Sequence, residues 1–588
     1  SQVAIQFMST RVFAFYVMLA TYLIGIAVGS ALYARLAIRV RDPWTAFGAL
    51  VGFAGLSAFA LAAVAGPGLM SLQSDAEEFV RGSGGAESLA MITRFAVAAG
   101  GLVLLPTLFL GAAFPAAVRI AVDHDRPGGD SGALIAWNTA GGVVGSLATG
   151  FVLVPAFGLV HTLAILAMAA AAIGIIACSQ ATRGSWIRNI VYLTAGLVLL
   201  IAAMTPADRF ARLISANRGG GQAIYYNENA GGTVAVVENA GARFRRLYIQ
   251  GVSNSGDSLA SLRYMRLQAL LPLLIHRGEP RSAMVIGFGT GITAGAIGRY
   301  PGLDRRVCAE LLPAVVGAAS LFQGNFNAAG DPALQIRLRD GRRELLRSDE
   351  QYDVITLEPP PPSAVGVVNL YSRDFYQLAR RRLQQDGILA QWWPLPTQNV
   401  EDSRTLVRAF LDVFPYTTLW TTELHEMLLV GSADPIELNV ERIARRFALA
   451  PVTTALSEVG IRTPDALLAT WVTDRTGLDR FAANAEAVTD DRPSIEYAAW
   501  VRRGEFARVL SEVLALRTTP PLVGADQSVR DAVAAGQQTL AEFYEAGLSA
   551  YRGDRAAWAQ ALNGALRSDP SNAYFRAIAG SLPIEGDR

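Results

Sequence analysis

The sequence contains no lysine: all 51 of its basic residues are arginine. A Schiff base on a lysine amine is therefore excluded. Cysteine is almost as scarce. Cys178 falls in an apolar run and Cys308 in an expected buried strand, so both read as small hydrophobes and no disulfide framework holds the chain. Four scattered histidines with no cysteine cluster give no zinc-ligand spacing, and no metal is expected. Excess charge of one sign is also lacking. A net charge of +1 provides no basic field for nucleic acid. The composition is apolar instead: 52% hydrophobic, with a mean hydropathy of +0.30, which places part of the 588 residues in lipid.

The rest of the chain is organised around SAMVIGFGTGITAGAIGRYPGLDRRVCAE, residues 282–310. An apolar run enters Gly287-Phe288-Gly289-Thr290-Gly291, a helix-compatible segment follows, and a second apolar run ends at Glu310. That order predicts strand, glycine-rich turn, helix, strand and acid, the first half of a nucleotide-binding unit. Gly287 and Gly289 permit the tight turn, and Glu310 is placed to reach a ribose diol. Further strands are expected at 335–339, ending in Asp340-Gly341, and at 352–358, where YDVITLE enters Pro359-Pro360-Pro361-Pro362. A strand at 387–392, a helix near 401–412 and β-type runs at 417–422 and 426–431 complete the expected sheet. The alternation over 281–434 predicts a doubly wound Rossmann-type domain. Its ligand-binding crevice lies at the strand ends, where Thr290, Glu310, Asp340 and Glu358 all fall.

Six apolar stretches, 12–34, 44–67, 95–118, 132–153, 157–178 and 187–205, are each long enough to cross a bilayer. They are rich in Gly and Ala, as in YLIGIAVGSA at 22–31, so residues 1–206 are expected to form a compact helical membrane domain. Buried charge is too sparse there to line a transport pathway. The sequence begins abruptly, as if its first residues and a further helix were missing. Arg35, Arg39 and Arg41 assign the 35–43 loop to the cytoplasmic side, and the 68–90 connection with Asp75, Glu77 and Glu78 then faces out. Six alternating spans would carry everything after Met204 outside. Arg209, Arg212, Arg218 and a nucleoside ligand argue for the cytoplasm. A cytoplasmic soluble part requires one span to be miscounted or re-entrant.

Between these regions, residues 220–253 alternate in short β-type runs, and a helix pattern spans 258–276, giving a small β-rich domain with a linking helix over 220–280. Residues 435–588 read as mainly helical, a packing or docking appendage that could engage a protein partner or a second copy.

These residues resemble the spermidine synthase family, specifically its bacterial branch fused to a membrane region. The resemblance covers roughly 220–434, and LPTLFLGAAFP at 105–115 resembles the membrane part of that branch. It implies a small β domain before a methyltransferase-like Rossmann domain. It also implies a transferase that moves an aminopropyl group from decarboxylated S-adenosylmethionine to a diamine at a bacterial inner membrane. By that resemblance Gly287, Gly289 and Gly291 form the donor loop, Glu310 binds ribose, and Asp340-Gly341 lies beside the adenine. Tyr264 helps hold the attacking amine, and Glu358 stands where the family has its first active-site Asp. The departures fall on the amine side. Pro361 replaces the second Asp, Thr290 an Asp of the glycine loop, and Arg266 the acid after the tyrosine. The acceptor pocket is therefore expected to have lost much of its negative field. Three classes remain open: aminopropyl or related transfer, methyl transfer from S-adenosylmethionine, and a non-catalytic nucleoside-binding membrane scaffold. Thr290 in place of an Asp is expected to let the undecarboxylated donor bind.

Overall fold

The computed structural model describes residues 2–122, 127–181, 186–217, 221–239, 241, 244–498 and 500–580. The chain divides into two compact units: Ser1–Arg243 with Tyr248–Ser253, and Phe244–Leu247 with Asn254–Arg588.

Apolar helices dominate the first unit. Among the described residues, five are long and apolar enough to cross a membrane: Val12–Arg39, Pro43–Val64, Glu87–Ala121, Gly128–Ser179 and Trp186–Met204. Lipid supplies no hydrophobic drive between helices, so close packing must hold them, and small residues sit where they cross. A Cβ on Gly48 would stand 2.5 Å from the Gly174 carbonyl oxygen, and one on Gly174 would stand 2.6 Å from that of Gly48. Any larger residue at either position would force the two helices apart.

The expected stretches at 132–153 and 157–178 fall on one apolar run of 52 residues, Gly128–Ser179, that kinks close to their boundary. The intervening Val154-Pro155 tolerates helix, since proline suits a first turn. The run breaks at Gly158, where φ is +74°, and the freed Leu159 N–H donates to the Glu228 carboxylate. The part after Gly158 buries Leu159, Val160, Ala164 and Ala167, whereas Trp137 and Val144 in the earlier part are exposed. Strands β1 (Gln222–Asn229) and β2 (Gly232–Asn239) pair antiparallel in the same unit, with Asn227 opposite Val234.

Strands β3 (Phe244–Ile249) and β4 (Val252–Gly256) lead to the helix Leu259–Ile275 of the second unit. Its sheet is built from β5 (Ser282–Ile286), β6 (Arg305–Glu310), β7 (Leu334–Leu338), β8 (Tyr352–Leu357) and β9 (Leu383–Pro394), paired in parallel in the order β7-β6-β5-β8-β9. Strands β10 (Tyr416–Thr421) and β11 (Glu426–Ser432) form an antiparallel hairpin, and β11 lies against β9. Because β11 runs opposite to β9, its first residue, Glu426, pairs with Pro394 at the end of β9. The start of β11 thus shares the carboxyl edge of the parallel strands. Beyond β12 (Leu438–Asn439), the strand β13 (Trp471–Asp474) adds to the outer edge of β10. The sheet therefore does not end at residue 431 as expected. Trp471 stacks edge-on against Trp420, 5.3 Å between ring centres, which fixes that late strand in place.

The C-terminal helices share the core of this sheet. Val509, Leu510, Val513, Phe543, Tyr574 and Phe575 belong to the same buried cluster as Leu357, Leu389 and Trp393. The molecule is thus a set of N-terminal apolar helices long enough to span a membrane, followed by β-sheets of α/β type and C-terminal helices.

Candidate active site

The glycine loop leaves β5 with Gly287, Gly289 and Gly291 all at positive φ, +91°, +53° and +81°. The turn also requires close approach. A Cβ on Gly287 would lie 3.3 Å from the Glu358 carbonyl oxygen, and one on Gly289 3.3 Å from Ser255 Oγ. Ser255, on β4, is buried, and its hydroxyl has no hydrogen-bond partner among the described residues.

Glu310 ends β6 directly under this loop. One of its oxygens accepts from the Phe288 N–H at 2.9 Å and the other from the Leu312 N–H at 2.8 Å. Burial pushes its carboxyl above the ordinary range, and backbone N–H groups of Leu312, Phe288, Gly289 and Leu311 partly offset that. Next to it, Leu311 is 62% exposed, a bare apolar face at the crevice rim.

Thr290 and Asp340 are placed differently from the picture of two ligand-facing side chains. Thr290 has no exposed surface, and its hydroxyl lies 3.4 Å from Met265 Sδ, so only its backbone borders the loop. Asp340 caps the helix Gly341–Arg347 by accepting the Arg343 N–H at 2.9 Å. Gly341 packs that helix start against Ile286, whose Cβ would stand 3.2 Å from a Cβ on the glycine. A capping and packing role accounts for the Asp-Gly pair in this structure.

Across the loop stands Glu358, the residue after β8. Tyr264 Oη, from the helix Leu259–Ile275, donates to Glu358 Oε1 at 2.5 Å. The Glu358 N–H bonds the Ile286 carbonyl at 3.4 Å, which ties the carboxylate to the mouth of the glycine loop. Burial pushes the Glu358 carboxyl up to about 7, and the tyrosine hydrogen bond only partly restrains it. The following prolines are held from behind, because Tyr371 Oη donates to the Pro360 carbonyl at 3.3 Å.

Arg266, which looked hostile to a cation, and its neighbour Arg263 are both committed to partners elsewhere. Arg266, 1% exposed, pairs with Glu458 at 2.6 Å and stacks over Phe326 at 4.7 Å. Arg263 bonds the Thr422 and Val459 carbonyls and stacks over Tyr574. The expectation of a depleted negative field also needs correcting. Glu423 and Glu426, on the turn into β11, stand near enough to Tyr264 to push its ionisation up, with burial the larger cause and Glu358 the next. Trp392, from β9, stacks on Tyr264 at 6.3 Å. Sequence reasoning missed this carboxylate pair because it compared only the aligned motif positions. The signal was the hairpin itself: an acid opening an apolar strand that must run antiparallel, hence back from the crevice edge.

The spermine/spermidine synthase domain matches residues 262–429. The chain is 34% identical over 189 residues to a polyamine aminopropyltransferase of Nitrosomonas europaea, covering 30% of this chain and 56% of the relative. It is 26% identical over 344 residues to one from Oceanobacillus iheyensis, covering 55% of this chain and 64% of that protein. The chain thus spans less than two thirds of the length of either relative. A spermidine synthase structure from Thermotoga maritima is similar at 16% identity, over 50% of this chain and 88% of that one, with a TM-score of 0.33. The domain and the curated relatives make a distant but consistent match to the polyamine aminopropyltransferase and spermidine synthase superfamily. With membrane-length helices and bacterial relatives, they also support a bacterial multi-pass membrane protein.

Proposed function

We propose that this protein is a membrane-anchored transferase. It moves an aminopropyl or related group from an adenosyl sulfonium, S-adenosylmethionine or its decarboxylated form, to a small acceptor and releases methylthioadenosine. The observation that carries this reading is the Tyr264–Glu358 pair tied to the mouth of the glycine loop. The loop side fits a nucleoside. Ser255 leaves a buried hydroxyl unpartnered over Gly289, with the Glu310 carboxylate under the same loop. Leu311 offers the apolar face that a base would cover.

The donor supplies an electrophilic carbon beside its sulfonium. Attack requires a neutral nucleophile held in line, and a carboxylate that ionises near 7 is matched to take its proton at neutral pH. For a nitrogen acceptor, the lone pair forms the new C–N bond as the C–S bond breaks toward sulfur. Glu358 receives the proton, and Tyr264 holds the carboxylate in position.

The soluble unit belongs on the cytoplasmic side under this reading. With the 35–43 loop inside, this placement requires the run Gly128–Ser179, kinked at Gly158, to contribute a single crossing, which brings the chain back inside after Met204. Mass spectrometry of the full-length protein in detergent, with each donor offered separately alongside 1,4-diaminobutane, tests the proposal. Methylthioadenosine formation supports it; S-adenosylhomocysteine would establish methyl transfer instead, and neither product would leave a nucleoside-binding scaffold.

A further inference from the structure

Two successive residues of the turn 324–327 hold a left-handed backbone. Phe326 has a φ of +52° and Asn327 one of +56°, close behind Gly324 at +73°. Asparagine tolerates this region, phenylalanine rarely adopts it, and neighbours that share it need support from outside. The support falls on the Phe326 ring. The Arg266 guanidinium lies 4.7 Å from its centre and the Arg299 guanidinium 5.1 Å. Arg266 also donates to the Gly324 carbonyl at 3.4 Å. It is itself fixed by Glu458 at 2.6 Å and the Ala455 carbonyl at 2.8 Å.

The strained turn presents Asn325, which is 5% exposed. Its amide nitrogen donates to the Thr290 carbonyl at 3.0 Å and the Ala319 carbonyl at 2.8 Å, and its side-chain oxygen accepts the Asn327 N–H at 3.0 Å. Both amide hydrogens are thus committed, one of them to the glycine loop. The helix that follows the loop, Ile292–Ile297, is met by the same turn again. A Cβ on Gly295 would collide with the Asn325 carbonyl oxygen, and Arg299, two residues past the helix end, returns to Phe326. Thr290 is therefore held from outside its own loop at two points, its carbonyl by Asn325 and its hydroxyl 3.4 Å from Met265 Sδ. Met265 and Arg266 are consecutive on the helix Leu259–Ile275, so one turn of that helix touches the loop directly and braces the segment behind it.

We infer that Asn325 is a positioning residue for the glycine loop, and that Arg266 acts through Phe326 to keep it in place. This rests on the nucleoside reading of the loop and adds the parts that hold its shape before a ligand arrives. Three left-handed glycines leave such a loop many conformations, so fixing Thr290 reduces the entropy lost on binding. Arg266, in sequence a charge set against the acceptor, serves the donor side instead.

Hydrogen–deuterium exchange of the full-length protein in detergent, read by mass spectrometry, tests the brace without a ligand. Asn325→Asp keeps the shape but replaces the donating nitrogen by an oxygen that repels the Thr290 carbonyl. Exchange should rise in peptides covering 287–295 and stay unchanged in β8 and β9. Methylthioadenosine affinity, measured by calorimetry, should fall about 10-fold. Arg266→Gln should move both readouts in the same direction. Phe326→Tyr keeps a ring between the arginines and should move neither. Unchanged loop exchange in Asn325→Asp, or exchange that rises equally across the sheet in both Asn325→Asp and Arg266→Gln, would overturn the inference. Faster loop exchange with unchanged methylthioadenosine affinity would overturn it too, because the order of the loop would then not serve the ligand. A wild type that binds no methylthioadenosine would instead strike the nucleoside reading, while the exchange pattern still decides whether Asn325 and Arg266 hold the loop.

Discussion

The two walls of the crevice treat their carboxylates in opposite ways. On the loop wall Glu310 is bonded to the backbone N–H groups of Phe288 and Leu312, so it is part of the turn before any ligand arrives. On the other wall, Glu358 has one phenol and Glu426 has a buried oxygen with nothing opposite. The loop wall is assembled chiefly from one contiguous stretch, 282–312, with Ser255 added from β4. The other draws Tyr264, Glu358, Trp392 and Glu426 from four separate elements. Preorganisation on the first wall favours affinity for a fixed donor. On the proposed transferase reading, poorly satisfied charge on the second suits chemistry.

Four substitutions and a pH profile would break or sharpen this contrast. The largest effect is expected for Glu358→Gln, which keeps the shape but removes the base. Turnover should fall by about 10²–10⁴-fold with little change in nucleoside affinity, read from single-turnover kinetics beside calorimetry. Full turnover would show that the second wall has no catalytic carboxylate there. Next is Glu310→Ala, expected to lower methylthioadenosine affinity about 10- to 100-fold, since it removes ribose acceptors and frees two backbone donors. An unchanged affinity would make Glu310 a loop brace alone.

The pH profile is subtler. Glu358 is a base only when ionised, so the rate should rise with pH through about 7 and then level off. Tyr264→Phe removes the hydrogen bond that restrains this ionisation and should move the rise to higher pH; an unmoved limb would assign it to another group. Stability runs the other way. The folded carboxyl is raised above its unfolded value of 4.5, so its favourable contribution is complete below that value and lost as pH rises through about 7. Thermal denaturation of Glu358→Gln should therefore compare best with wild type above pH 7. The smallest effect is expected for Tyr574→Phe, about 1 kcal/mol of stability from the lost hydrogen bond at the Glu423 turn. Chemical denaturation measures it, and a loss of several kcal/mol would mean that the turn anchors much more of the fold.

The same contrast explains what could be read in the chain before its fold was known. The loop wall was legible because its physics is local: glycines at positive φ, an apolar strand on either side, and an acid at the end of the second. Glu358 was legible as a charge ending an apolar strand. The partner of Glu358 was placed through resemblance, and the structure supplies the 2.5 Å contact. Glu426 was not legible, since its neighbours depend on the antiparallel direction of β11 and on a turn held by Tyr544, Tyr551 and Tyr574. The same limit applies to Arg266. In sequence it counted as a positive charge in the pocket, whereas Glu458, far away in the chain, takes that charge out of play. The break at Gly158 was legible to within a few residues, as the boundary between the apolar runs at 132–153 and 157–178.

The clasp of Tyr574 on Leu424 also sets an order of assembly. Tyr574 is made some 370 residues after Met204, the end of the last membrane helix. At bacterial rates of synthesis of about 5–20 residues per second, the apolar helices can be in the bilayer for roughly 20–70 s before that tyrosine exists. Once Glu426 has been made, about 150 residues before Tyr574, the crevice has its glycine loop and its Glu358 but not yet the Tyr574 clasp on the turn. A chain that has just passed Glu426 thus still awaits the tyrosine that clasps its turn.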